Sequence, residues 1–175
     1  MSNKKDYLNM YQIKTDNENV IQIMKLLSQG KFEEAGEIAK LALDYFLSDE
    51  EAIMCYLAIG FASLHDRDFQ DARAKFGSAS GLAQKDMRLK LESLIAEVYA
   101  KIDLEKEAKR RFAPVNGVIT MKLRRKGNSG LVSIAEDLAR VQKRIRGSKA
   151  RLTKKQKQQM AVQEPSGFFK IPLPF

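Results

Sequence analysis

Three alanines, Ala35, Ala72 and Ala108, stand 37 and 36 residues apart, each inside a segment whose apolar residues recur at helical spacing. A helix brings residues three and four apart onto one face, so the steps identify both the element and its buried side. Six such segments follow one another. From about Asn19, Val20, Ile21, Ile23, Met24 and Leu27 crowd the first, and Gly30 stops it. Phe32, Ala35, Ile38, Ala39, Ala42 and Leu43 form the second, closed by Phe46 and Leu47. Ala52–Leu64 is the third, His65-Asp66-Arg67-Asp68 a polar turn, and Phe69 to about Ala83 the fourth. Leu89–Ile102 and Leu104–Phe112 are the last two. Connections this short make neighbouring helices antiparallel, so the chain predicts three helical pairs.

Two helices pack closely only where side chains are small. In the middle pair, Tyr56-x2-Ile59-Gly60 is followed by Phe69-x2-Ala72-x3-Phe76-x2-Ala79. Gly60 and Ala72 are expected to face one another, and Phe76 and Ala79 to face the next pair. The first copy has Ile23 at the glycine position, then Phe32, Ala35, Ala39 and Ala42; the third has Ile95-Ala96-x2-Tyr99, then Ala108, Phe112 and Val115. This pattern resembles the tetratricopeptide repeat, whose period is about 34 residues. Asn19 replaces the usual large residue in the first copy, and no copy ends in the family's proline. The resemblance covers residues 18–116. It implies an all-α array with an inner groove. Met54, Leu57, Phe61 and Leu64 share one helical face, which Met24 and Leu27 extend, and in that family this face would line the groove. The chain's own terminal segments are the alternative occupants.

Charge divides the chain. Residues 1–100 hold 12 Lys and Arg against 16 Asp and Glu, and residues 101–175 hold 19 against 6. Residues 1–17 read as a polar lead-in with a helical turn around Tyr7, Leu8 and Tyr11. Residues 117–130 form a basic linker carrying Lys122, Arg124, Arg125 and Lys126. Residues 131–162 read as a long amphipathic helix, its stripe of Leu131, Ile134, Leu138, Val141 and Ile145 docking on the last pair. Ser129 or Ser133 would cap it, and Gly147-Ser148 would bend or break it. Lys143, Arg144, Arg146, Lys149, Arg151, Lys154, Lys155 and Lys157 follow with no acid among them. Such a run is either a solvated helix end or a surface for nucleic acid, acidic protein or lipid headgroups. No aromatic residue lies between Phe112 and Phe168, so nucleic-acid contact would be to phosphate, with little sequence preference.

Residues 163–175 predict an extended apolar tail, because Pro172 and Pro174 oppose helix. Phe168, Phe169, Ile171, Leu173 and Phe175 should dock, either on this chain or in a partner as a short linear motif. The ending is faintly similar to the terminal peptides of bacterial single-strand-binding proteins and to sliding-clamp-binding peptides.

No catalytic set is apparent, and no cofactor or metal is expected. His65 is the single histidine and reads as a surface turn residue; Cys55 reads as a buried thiol. The run Gly77-Ser78-Ala79-Ser80-Gly81 reads as a close helix contact rather than a phosphate loop. No apolar run reaches the roughly 18 residues of a membrane span, and no leader is evident, so a cytoplasmic protein is expected. The expected function is a non-enzymatic adaptor: a repeat body for a protein partner and a cationic arm for an anionic surface. Two alternatives are a small chaperone resembling the type III secretion class and a structural subunit of a nucleoprotein assembly.

Overall fold

A computed structural model describes residues 7–101, 129–151, 154 and 167–174. Among these are six helices and one antiparallel strand pair, a helical-bundle-like architecture. They are β1 (Tyr7–Tyr11), α1 (Glu18–Ser28), α2 (Phe32–Ala42), α3 (Asp49–His65), α4 (Phe69–Leu82), α5 (Lys85–Lys101), α6 (Ser129–Arg151) and β2 (Phe168–Pro172). The chain divides into two compact units, Met1–Gln84 with Phe168–Phe175, and Lys85–Gly167. The expected sixth helix and the basic linker up to residue 128 lie outside the described residues.

In the first unit α3 packs against α1, α2 and α4, and α1 packs against α2. Its sequence explains this central place. Ile53, Met54, Cys55, Leu57, Ala58, Ile59, Gly60, Phe61, Ser63 and Leu64 are all buried, so the helix is apolar nearly all round and needs neighbours on every side. Phe61 lies between Phe32 of α2, with ring centroids 6.2 Å apart, and Phe76 of α4, at 5.6 Å and 77°. The close approach of α3 and α4 is at Gly60, where an added Cβ would lie 2.7 Å from the Phe76 ring. The expected partner was Ala72. Phe76 therefore packs within its own helical pair instead of facing a following one. A second close approach went unforeseen: a Cβ on Gly36 of α2 would lie 2.8 Å from Ala62 of α3. Gly77 and Gly81, read as packing contacts, would meet nothing within 4 Å.

Helix ends follow local chemistry. α1 stops where Gly30 takes φ +75°; Gly30 N–H donates to Leu27 O and Lys31 N–H to Leu26 O, both at 3.0 Å. That pair of bonds is the Schellman stop, which favours glycine at the left-handed position. α3 ends the same way, Arg67 N–H donating to Leu64 O and Asp68 N–H to Ser63 O, with Arg67 at φ 61°. α2 ends at Ala42, so Phe46 and Leu47 lie in the connection, and Phe46 stands fully in solvent.

α3 begins three residues earlier than its apolar period, because Ser48 and Glu51 form a capping box. Glu51 N–H donates to Ser48 Oγ at 3.3 Å and Ser48 N–H to Glu51 Oε2 at 2.9 Å. The Thr15 hydroxyl also donates to Glu51. Ser48→Ala is expected to lower stability by about 1 kcal/mol in urea denaturation. The Thr15 hydroxyl and then the Ser48 amide hold the Glu51 carboxyl below its usual 4.5. A depressed folded-state pKa gives stability that is present above pH 4.5 and lost as pH falls through the depressed value. The Tm gap between the native chain and Glu51→Ala should therefore narrow on acidification below about pH 4.

Tyr7–Tyr11 of the lead-in, where a helical turn was expected, form a strand. Leu8 and Met10 are buried and Tyr7 and Asn9 exposed, the period-two alternation of a half-buried strand. β1 pairs antiparallel with β2 in the register Tyr7↔Pro172 through Tyr11↔Phe168. A two-stranded ribbon is marginal alone, and here β2 also packs on α1.

In the second unit α5 packs against α6. Val132, Ile134, Ala135 and Leu138 are buried, while Val141 and Ile145 of the expected stripe are only half-buried. α6 starts at Ser129, which puts Ser133 inside the helix rather than at a cap. It runs through Gly147 and Ser148 to Arg151 without the expected break, and Leu131 lies on it.

Candidate functional site

The six residues expected to line a groove share a face, but the face is closed. Met24, Leu27, Met54, Leu57, Phe61 and Leu64 are all buried, none more than 7 % exposed. The reason is the crowding of α3 by α1, α2 and α4, with β2 covering α1. A substitution such as Phe61→Glu would thus test folding rather than ligand binding. Cys55 is buried beside them, and burial pushes its thiol up to about 11, far from thiolate chemistry at neutral pH.

The cationic residues separate into three groups. Lys122, Arg124, Arg125, Lys126, Lys155 and Lys157 lie outside the described residues. Lys149 and Arg151 fall on α6. Lys143, Arg144 and Arg146 are exposed on α6, and Lys154 is exposed beyond it. The run itself holds no acid, but Arg144 gains a counter-charge from another helix. Arg144 Nη1 lies 3.2 Å from Glu92 Oε1 of α5, the same oxygen that Arg88 Nε reaches at 3.2 Å. Glu92 is buried, and a buried carboxylate needs such partners. Asp137 pairs with Arg140 at 2.8 Å. Lys143, Arg146 and Lys154 form no ion pair with a described acid. Nothing in the sequence marked Glu92, which comes from a different helix 52 residues before Arg144.

The tail docks on its own unit. Ile171 is buried, Phe169 and Leu173 are half-buried and Phe168 is half-exposed, while Phe175 lies outside the described residues. Pro172 rests on the α1–α2 turn: a Cβ on Gly30 would meet its Cγ at 3.0 Å. Pro174 O lies 3.3 Å from His65 Nδ1, which fixes Nδ1 as the protonated nitrogen if it donates there. The His65 ring also packs on Phe32, centroids 5.9 Å apart. His65 is the last residue of α3 rather than part of the turn. Glu33, at the start of α2, and Asp66, just after α3, bring one carboxylate oxygen each to within 4.8 Å of a His65 ring nitrogen and of each other. Sequence reasoning counted one histidine and stopped there; Glu33 joins it only through the packing of α2 on α3. Elsewhere in the unit, the Tyr11 hydroxyl is buried with no partner among the described residues, and burial followed by the Glu50 charge raises its pKa.

No family model, curated protein or solved structure matches the chain. Among the described residues no helix is long and apolar enough to cross a membrane.

Proposed function

We propose that this chain is a non-enzymatic binding protein that uses α6 and the cationic residues around it to hold the phosphate backbone of a nucleic acid. The observation that carries this reading is the outward set Lys143, Arg146 and Lys154, which no described acid neutralises while their neighbours Arg140 and Arg144 are paired. Fixed cations that displace condensed counterions bind phosphate without reading bases. The net charge of +9 works in the same direction.

The first unit is proposed as a tetratricopeptide-like body for a protein partner. In support, α1 packs on α2, α3 packs on α4, and α1 packs on α3, the pattern of stacked helical hairpins. A groove-binding chaperone needs an open apolar face; here that face is filled from within, so a protein partner would meet the outer surface of the unit. A cytoplasmic setting agrees with the single buried cysteine.

The test is binding to a short DNA duplex and a single-stranded RNA at several salt concentrations. The logarithm of the affinity should fall linearly with log salt, and Lys143→Glu, Arg146→Glu and Lys154→Glu together should flatten the slope by about 2 to 3. Both should bind without base preference, the single-stranded RNA with the shallower salt slope of its lower charge density. An unchanged slope and affinity in the triple variant would remove α6 as the binding element.

A further inference from the structure

We propose that Glu33, His65 and Asp66 form a binding site for a divalent transition ion of the zinc class, and that the ion clamps the 172–174 segment onto the helical unit. The site stands apart from the phosphate-binding reading above and does not rest on it.

The donor set is one imidazole nitrogen and two carboxylate oxygens within 4.8 Å of one another. Ligands on a zinc ion lie about 2.0–2.2 Å from it, which sets them roughly 3.4 Å apart in a tetrahedron. All three residues are exposed, so rotation of the two acidic side chains closes that gap without disturbing a core. A nitrogen with two oxygens suits zinc and its neighbours, whereas calcium and magnesium take all-oxygen shells. Three protein ligands leave further coordination positions for water.

The surroundings of His65 separate this cluster from a chance meeting of surface groups. Metal-bound histidines generally donate their second ring N–H to a carbonyl or carboxylate, which fixes the tautomer and the ring plane. Here Nδ1 faces Pro174 O at 3.3 Å, and the ring is seated on Phe32. We assign the ion to Nε2, with Nδ1–H donating to that carbonyl. His65 and Asp66 also sit at the carbonyl end of α3, where the helix dipole favours positive charge. Two carboxylates held this close repel each other until a cation joins them.

The consequence is a mechanical link. Glu33 begins α2, His65 ends α3 and Pro174 belongs to the tail that follows β2. An ion on Nε2 makes Nδ1–H a stronger donor to Pro174. Metal binding should therefore slow hydrogen exchange of the β1 and β2 amides.

The full chain, freed of metal with a chelator, is titrated with Zn2+ while the imidazole proton resonances are followed. The chain has one histidine, so the signal belongs to His65 alone. The expected result is saturable one-to-one binding that shifts those resonances and slows β1–β2 exchange, with Mg2+ giving no shift. Glu33→Gln with Asp66→Asn should weaken Zn2+ binding by more than about tenfold and leave the far-UV spectrum and Tm unchanged. His65→Gln should abolish it, as read by calorimetry. Absence of a shift at millimolar Zn2+ would overturn the site. So would equal affinity in the Glu33→Gln, Asp66→Asn chain, which would mean a lone imidazole binds. Saturable binding with unchanged β1–β2 exchange would overturn the clamp.

Discussion

Ile171→Asp should destabilise the first unit by about 4 kcal/mol, because it removes a buried aliphatic side chain and puts an unpaired carboxylate in its place. Ile171 sits opposite Leu8 across the ribbon and is 1 % exposed, while Leu8 and Met10 are fully buried. Within the strand pair the one charged residue, Lys170, alternates with Ile171 and is exposed, so it offers a buried carboxylate at 171 no partner. The loss should appear as a lower urea midpoint and as faster amide exchange in α1, on which β2 packs. Ending the chain at Gly167 should act in the same direction, and adding residues 168–175 back as a peptide should restore part of the protection. Phe168→Asp, in the same strand but half-exposed, should change stability by less than about 0.5 kcal/mol. If Ile171→Asp left the midpoint where it was, the docking of the tail on its own unit would be wrong.

The same strand pair shows where sequence reasoning loses its grip. Helices could be read because their signals are local. The steps of α2 and α4 and the stop at Gly30 all lie within a few residues of the feature they specify. β1 carries only Leu8 and Met10 in alternation, and its partner is more than 150 residues away. Five residues cannot announce such a pairing. The candidate groove failed for a related reason. Met54, Leu57, Phe61 and Leu64 were grouped on the right face, but whether a face is open depends on what else lands on it. For α3 that was settled by helices on several sides and, at α1, by the tail. His65 read as a surface turn residue, because the α2–α3 contact that brings Glu33 to it runs through Gly36 and Ala62, a glycine and an alanine with no distinguishing pattern. Charge was half-legible: the excess was plain, while the pairing of Arg144 with Glu92 needed the α5–α6 contact.

The sharpest test of the helix packing is Gly60→Val, expected to destabilise the first unit by about 3 kcal/mol, at the upper end of ordinary overpacking. A Cβ at Gly60 would lie 2.7, 3.0 and 3.1 Å from three atoms of the Phe76 ring. That ring cannot simply swing aside. Phe76 is buried and packs edge-on against Phe61, which itself packs against Phe32 of α2. Displacing it therefore strains both sides of α3. In an open helix the same kind of change has the opposite sign, since replacing glycine by alanine stabilises a helix interior by about 0.5–1 kcal/mol. Gly77→Ala, where an added Cβ meets nothing within 4 Å, should show that gain. The two substitutions thus separate helix propensity from packing within one molecule. Shortening the obstructing ring supplies the last control: Phe76→Leu combined with Gly60→Val should lose less than the sum of the single losses, by about 1 kcal/mol or more. Strict additivity would mean that the two positions do not touch, and with it the packing of α4 on α3 at Gly60 would have to be redrawn.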